Sequence, residues 1–121
     1  SPGDALAALR AAIMQAAIAC GAVPIAAAAP RLPNTACLAL PGVRAETQVI
    51  ALDLAGVRVS AGAACSSGKV ARSHVLDAMG LGALAGEAIR VSLPWNASAE
   101  DVRAFADAYQ AMAERLARRA A

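Results

Sequence analysis

Apolar positions along this chain change their period several times, and each change marks an element. Leu6, Leu9, Ile13, Ala16 or Ala17, and Cys20 recur at helical spacing, with Asp4 placed to cap the helix and Gly21 to end it. Residues 23–28 read as a short strand, which Pro24 confines to a sheet edge because it has no N–H to donate. The segment Pro30-Arg31-Leu32-Pro33-Asn34 is a stiff connection. Residues 35–40 then alternate, Ala36, Leu38 and Leu40 on one face and Thr35, Cys37 and Ala39 on the other, until Pro41-Gly42 forces a turn. Residues 45–55 predict a helix with Val49, Ile50, Leu52 and Leu54 as apolar positions, Glu46 and Gln48 on its polar face and Gly56 just past its end. A strand over 57–60 follows. Ser73 caps a helix that ends at Gly80, and residues 80–86 read as flexible by composition. Residues 88–93 put Ile89, Val91 and Leu93 on one strand face and Arg90 and Ser92 on the other. Ser98-Ala99-Glu100-Asp101 is a capping box opening a helix with the stripe Val102, Phe105, Tyr109, Met112 and Leu116; Arg115, Arg118 and Arg119 near its end suit the helix dipole.

This order predicts an α+β layer, a small and mostly antiparallel sheet covered by helices. At 121 residues the chain makes a single domain, 1–121. One Phe, one Tyr and one Trp leave its core to Leu, Val and Ile. A net charge of +2 offers no basic patch for nucleic acid, and the scarcity of aromatics removes any stacking platform for single strands. The charge-free run between Arg10 and Arg31 is broken by Gln15, Gly21, Pro24 and Pro30, so it reads as a buried helix plus strand and no membrane span is expected. Cys20, Cys37 and Cys65 lack metal-ligand spacing, the chain has one histidine, and a disulfide would leave one thiol over, so no metal is expected and a reducing cytoplasm fits best.

Chemistry concentrates in Ser60-Ala61-Gly62-Ala63-Ala64-Cys65-Ser66-Ser67-Gly68, a thiol set among the smallest residues and bracketed by glycines that permit it to swing. Lys69 and Arg72 follow closely, and neighbouring cations favour the thiolate, the nucleophilic form. Cys20, on a helix stripe, and Cys37, within a strand, read as packing residues.

The run Ala51-Leu-Asp-Leu-Ala-Gly-Val-Arg-Val-Ser-Ala-Gly-Ala-Ala-Cys65-Ser-Ser-Gly-Lys-Val, with Ser73-His-Val-Leu-Asp-Ala-Met-Gly80 and Ala88-Ile-Arg-Val-Ser-Leu93 after it, resembles the C-terminal part of pyridoxal-phosphate-dependent cysteine desulfurases. The likeness is to the nitrogenase and iron-sulfur-cluster assembly group, whose long active loop carries Cys-Ser-Ser-Gly. Arg31-Leu-Pro-Asn-Thr35 and Trp95-Asn96 fit as well, so the resemblance spans about residues 30–110. It implies the small C-terminal domain of a fold-type I enzyme, with the large domain that binds pyridoxal phosphate lying outside these residues.

The resemblance further implies that Cys65 takes the sulfur of L-cysteine as a persulfide, leaving L-alanine, and passes it to an acceptor or scaffold protein. Arg90 matches the family arginine that pairs with the substrate carboxylate, where a planar fork makes a bidentate contact. A homodimer is implied. No cofactor is expected on this chain alone: neither Lys69, four residues past the cysteine, nor His74 takes a cofactor role. The family usually has glycine after Arg-Val-Ser-Leu, where this chain has Pro94. Without the large domain, the Ile89, Val91 and Leu93 face or the first helix is expected to expose apolar surface and drive self-association. The competing reading is a freestanding persulfide carrier or interaction module without a cofactor.

Overall fold

The computed structural model describes residues 2–25, 34–62 and 82–117. Helix α1 (Pro2–Ala19), strands β1 (Val23–Pro24) and β2 (Thr35–Ala39), helix α2 (Ala45–Leu54), strand β3 (Ser60–Ala61), a 3₁₀ segment (Gly82–Glu87), strand β4 (Ala88–Ser92) and helix α3 (Ala99–Met112) follow in order. The sheet runs β1-β2-β4-β3 with every pairing antiparallel, which matches the α+β expectation. Pro24 lies on the edge strand, where its missing N–H costs no ladder bond.

The three helices cover one sheet face. Leu6, Ile13 and Ala17 of α1, Leu52 of α2 and Phe105, Tyr109 and Met112 of α3 close over Leu38 and Leu40 and over Ile89, Val91 and Leu93. The rings of Phe105 and Tyr109 stack with centroids 5.2 Å apart, and both are buried, so two of the scarce aromatics anchor the core. On the opposite face a smaller cluster forms where Ile25, Cys37, Ala39 and Ala88 meet Leu84 and Ala85 of the 3₁₀ segment. Both faces of β2 are therefore lined by packed side chains, which explains why its alternation is apolar on either side.

Helix ends follow the glycines. At Gly21 (φ 100°) and Gly56 (φ 87°) the backbone turns left-handed. The N–H groups of Gly21 and Ala22 reach the carbonyls of Ile18 and Ala17, and those of Gly56 and Val57 reach Asp53 and Leu52, so both helices end in the same paired-carbonyl cap. At the start of α3 the Ser98 N–H donates to the Asp101 carboxylate at 2.8 Å, as the capping box requires.

Five expectations need correction. Helix α1 begins at Pro2, whose fixed φ suits a first helical position, so Asp4 sits inside the first turn facing the positive helix end and is not its cap. Ladder pairing in β3 is confined to Ser60 and Ala61; Val57 and Val59 pack on the core without strand bonds. Residues 82–87, expected to be flexible, wind into a 3₁₀ turn because Leu84 and Ala85 have the second cluster to cover. The Ile89, Val91 and Leu93 face is buried by the chain's own helices; the exposed large apolar side chains are Ile18 on the first helix, at 39%, and Ile50 at 62%, Leu54 at 83% and Trp95 at 75%.

Gln48 is the fifth. It is fully buried, and its side-chain amide donates to the carbonyls of Val43 at 2.9 Å and Glu87 at 2.8 Å, tying α2 to the entry of β4. The Glu87 carboxylate reaches back to the Gly42 N–H at 2.7 Å and closes the same junction. Gln48→Met keeps the side chain's length while removing both donations; the Glu87 carbonyl keeps its bond from the Leu40 N–H at 3.1 Å, so the loss falls mainly on the Val43 carbonyl, and we expect unfolding free energy to fall by roughly 1–2 kcal/mol. Urea denaturation with an unchanged m-value checks this.

Candidate functional site

The alternation of β4 that sends Ile89 and Val91 into the core sends Arg90 to the other face. There the register sets one row across three strands: Ser60 of β3, Arg90 of β4 and Cys37 of β2 are direct antiparallel partners, and Thr35 and Ser92 pair alongside. Arg90 is half-buried, and its guanidinium leans toward β3, where Nη2 donates to Ser60 Oγ at 3.5 Å. A planar guanidinium held partly out of water is suited to a carboxylate, which it can grip with two parallel N–H bonds. Beside it Asn34 fixes the end of β4: its carbonyl accepts from Leu93 N–H at 2.8 Å and its side-chain amide donates to the Leu93 carbonyl at 2.9 Å. Pro94 begins a turn whose carbonyl accepts from Ala97 N–H at 3.0 Å, a role that needs no N–H from the proline.

Gly62, directly after β3, is buried. A Cβ placed on it would lie 2.6 Å from both the carbonyl carbon and the Cβ of Ala88, and nearer still to the Ala88 carbonyl oxygen. Gly62 is thus a point of close backbone approach, not the swinging position its composition suggested. Cys65, Lys69, Arg72, the helix expected from Ser73, His74, Arg31, Arg118 and Arg119 lie outside the described residues.

Two thiols are described. Cys20, at the end of α1, packs half-buried against the core, and burial together with the Glu114 carboxylate pushes its pKa above the ordinary thiol value. Cys37 is buried in the second cluster. Neither occupies the environment of a reactive thiolate. Burial also raises the Tyr109 hydroxyl, with nearby Cys20 adding to the shift. Among the described residues no group of metal-ligating side chains converges and no helix is long and apolar enough to cross a membrane.

Ser60 was legible only as a strand end at the start of the small-residue loop, and Gly62 only as a loop residue. Their roles come from pairing with β4, which one strand's sequence does not reveal.

A four-stranded antiparallel sheet with three helices on one face, and the shorter 3₁₀ segment and Arg90 on the other, defines the class of this molecule: a small α+β unit. The comparisons make the class particular. No family model matches the chain. It is 49% identical over 72 residues to a cysteine desulfurase of Cereibacter sphaeroides, a match covering 58% of this chain and 19% of that protein. It is 38% identical over 87 residues to a cysteine desulfurase IscS of Dictyoglomus turgidum, covering 71% and 22%. A solved NifS-like protein superposes with a TM-score of 0.74 at 28% identity over 93% of this chain and 28% of its own. A NifS-like protein from Rickettsia africae gives 0.70 at 27% identity, covering 90% and 28%. By sequence and by fold the chain is a homologue of part of the cysteine desulfurases, and it spans about a fifth of the length of the curated relatives it matches.

Pyridoxal phosphate is the cofactor the family resemblance implies. The described residues include no lysine to carry it and no histidine to face it, since the chain's one lysine, Lys69, and one histidine, His74, fall outside them. The described residues alone offer it neither a Schiff-base amine nor an imidazole, and no step is derived through it.

Proposed function

We propose that this chain is the part of a cysteine desulfurase that presents the sulfur-accepting thiol, Cys65, and the substrate-binding guanidinium, Arg90. The observation that carries the reading is the placement of Arg90 on the sheet face opposite the three α-helices, as the register partner of Ser60 in the strand that precedes Cys65 in sequence. Homology to proteins named cysteine desulfurase supports it. Arg90 grips the carboxylate of L-cysteine. The Cys65 thiol takes the substrate sulfur: the substrate C–S bond breaks, an S–S bond forms, and L-cysteine plus protein thiol becomes L-alanine plus protein persulfide. The terminal sulfur then passes to an acceptor thiol, restoring Cys65, in service of iron-sulfur cluster or other sulfur biosynthesis. Pyridoxal phosphate belongs to the complete enzyme, a cytoplasmic homodimer in this reading, and is held by residues other than those described.

The test is stoichiometry. The full-length protein carrying this chain, supplied with pyridoxal phosphate, L-cysteine and a reducing thiol, should form L-alanine and sulfide in equal amounts. Absence of alanine above background overturns the reading and favours a carrier that only relays persulfide. The 121-residue chain alone, given the same reagents, should release no sulfide, and turnover by it would overturn the division of labour.

A further inference from the structure

We infer that Ser60 is the positioning residue for Arg90, orienting the guanidinium for the substrate carboxylate through a cross-strand contact; this rests on the reading of Arg90 above. Arg90 stands between two direct strand partners, Cys37 on β2 and Ser60 on β3, and three features favour Ser60 as the one that sets its direction. The hydrogen bond from Nη2 goes to the Ser60 hydroxyl, at 3.5 Å. A long, rotamer-rich arginine held on one side by a hydroxyl loses less freedom when a carboxylate arrives, which is how a weak contact improves binding. The acceptor itself is fixed: Ser60 and Ala61 are laddered to Arg90 and Ile89, Ala61 packs on the core, and the next residue, Gly62, lies against the Ala88 backbone. Ser60 is therefore held by the same sheet that holds Arg90.

The consequence is that one register pair sets two things together. The Ser60–Arg90 pairing fixes where the carboxylate anchor points and where the chain leaves the sheet on its way to Cys65. A positioning role differs from a structural one in what it moves. Loss of the hydroxyl alone should weaken substrate binding while the bound substrate reacts nearly as before, because the strand pairing is backbone-made and survives.

The experiment compares Ser60→Ala, Ser60→Thr and Arg90→Ala in the full-length protein with pyridoxal phosphate, reading KM and kcat for L-cysteine and the inhibition constant of L-alanine, which shares the carboxylate. Ser60→Ala should raise both KM and the alanine constant about fivefold, the worth of one modest hydrogen bond, with kcat falling less than about twofold. Ser60→Thr, which keeps the hydroxyl and suits a strand, should restore both constants. Arg90→Ala should raise KM by about a hundredfold, since it removes a charge-assisted bidentate grip. If Arg90→Ala changes nothing, the reading of Arg90 is wrong. If Arg90→Ala has its effect and Ser60→Ala leaves KM unchanged, or Ser60→Thr fails to rescue, the positioning role is wrong while Arg90 stands.

Discussion

Cys65→Ala is expected to abolish persulfide formation, and brief alkylation of the wild-type protein at neutral pH is expected to mark Cys65 before Cys20 or Cys37. The expectation combines sequence and structure. Cys65 lies close to Lys69 and Arg72, whose charges favour the thiolate. The other two thiols are disfavoured by where the fold puts them. Cys20 is pushed above the ordinary thiol value first by burial and then by Glu114, so at neutral pH it stays protonated and gains reactivity only as the pH climbs past that value. Cys37 is enclosed by Ile25, Ala39 and Ala88, and a reagent reaches it only when the sheet opens. Mass mapping after a short pulse of iodoacetamide orders the three thiols. Incubation with L-cysteine, followed by trapping of the persulfide, should label Cys65 in the wild type and leave Cys65→Ala unlabelled. Labelling of Cys20 or Cys37 in the substituted protein would show that another thiol receives the sulfur. Raising the pH should speed alkylation of Cys20 more than that of Cys65, because a larger share of Cys20 is still protonated at neutrality.

Strand β4 and the last helix were legible because each has one clear period. Ile89, Val91 and Leu93 alternate without interruption, and the Phe105-Tyr109-Met112 stripe is set off by charge on the far side of α3, so a single reading fits each. Helix α2 was legible as a helix but not in orientation. Its apolar residues lie on two sides, and the sheet takes the side bearing Ala45, Gln48 and Leu52, leaving Ile50 and Leu54 outside. A polar residue on the buried side misled the pattern, because the donor need of two carbonyls, those of Val43 and Glu87, is invisible until distant segments meet. The same holds for the site. Arg90 could be placed on a strand face from alternation alone, whereas its partner Ser60 depends on a register set thirty residues away in sequence. Residues 82–87 were misread for a related reason: Gly and Ala specify little by themselves, and the second cluster supplies the order.

Gly62→Val is expected to destabilise the fold and to impair sulfur transfer together, an effect distinct from that of any change in Cys65. Gly62 carries no positive φ, so valine would meet no backbone prohibition there. The obstacle is Ala88: a first side-chain carbon already falls 2.6 Å from its carbonyl carbon, and backbone cannot rotate out of the way as a long side chain would. Even Gly62→Ala must push β3 from β4, at a cost near the upper part of the roughly 1–3 kcal/mol typical of overpacking, and the branched valine should exceed it. The displacement falls beside the Ser60–Arg90 pair, since Gly62 directly follows Ser60 and Ala61, the two residues of β3. Thermal and urea unfolding of Gly62→Ala and Gly62→Val should show a graded loss of stability. At temperatures where Gly62→Ala is still folded, KM for L-cysteine should rise as it does in Ser60→Ala, because pushing β3 outward lengthens the contact that aims Arg90. Wild-type stability in both variants would mean that β3 yields freely at this point, and an unchanged KM in folded Gly62→Ala would separate the packing of Gly62 from the orientation of the guanidinium.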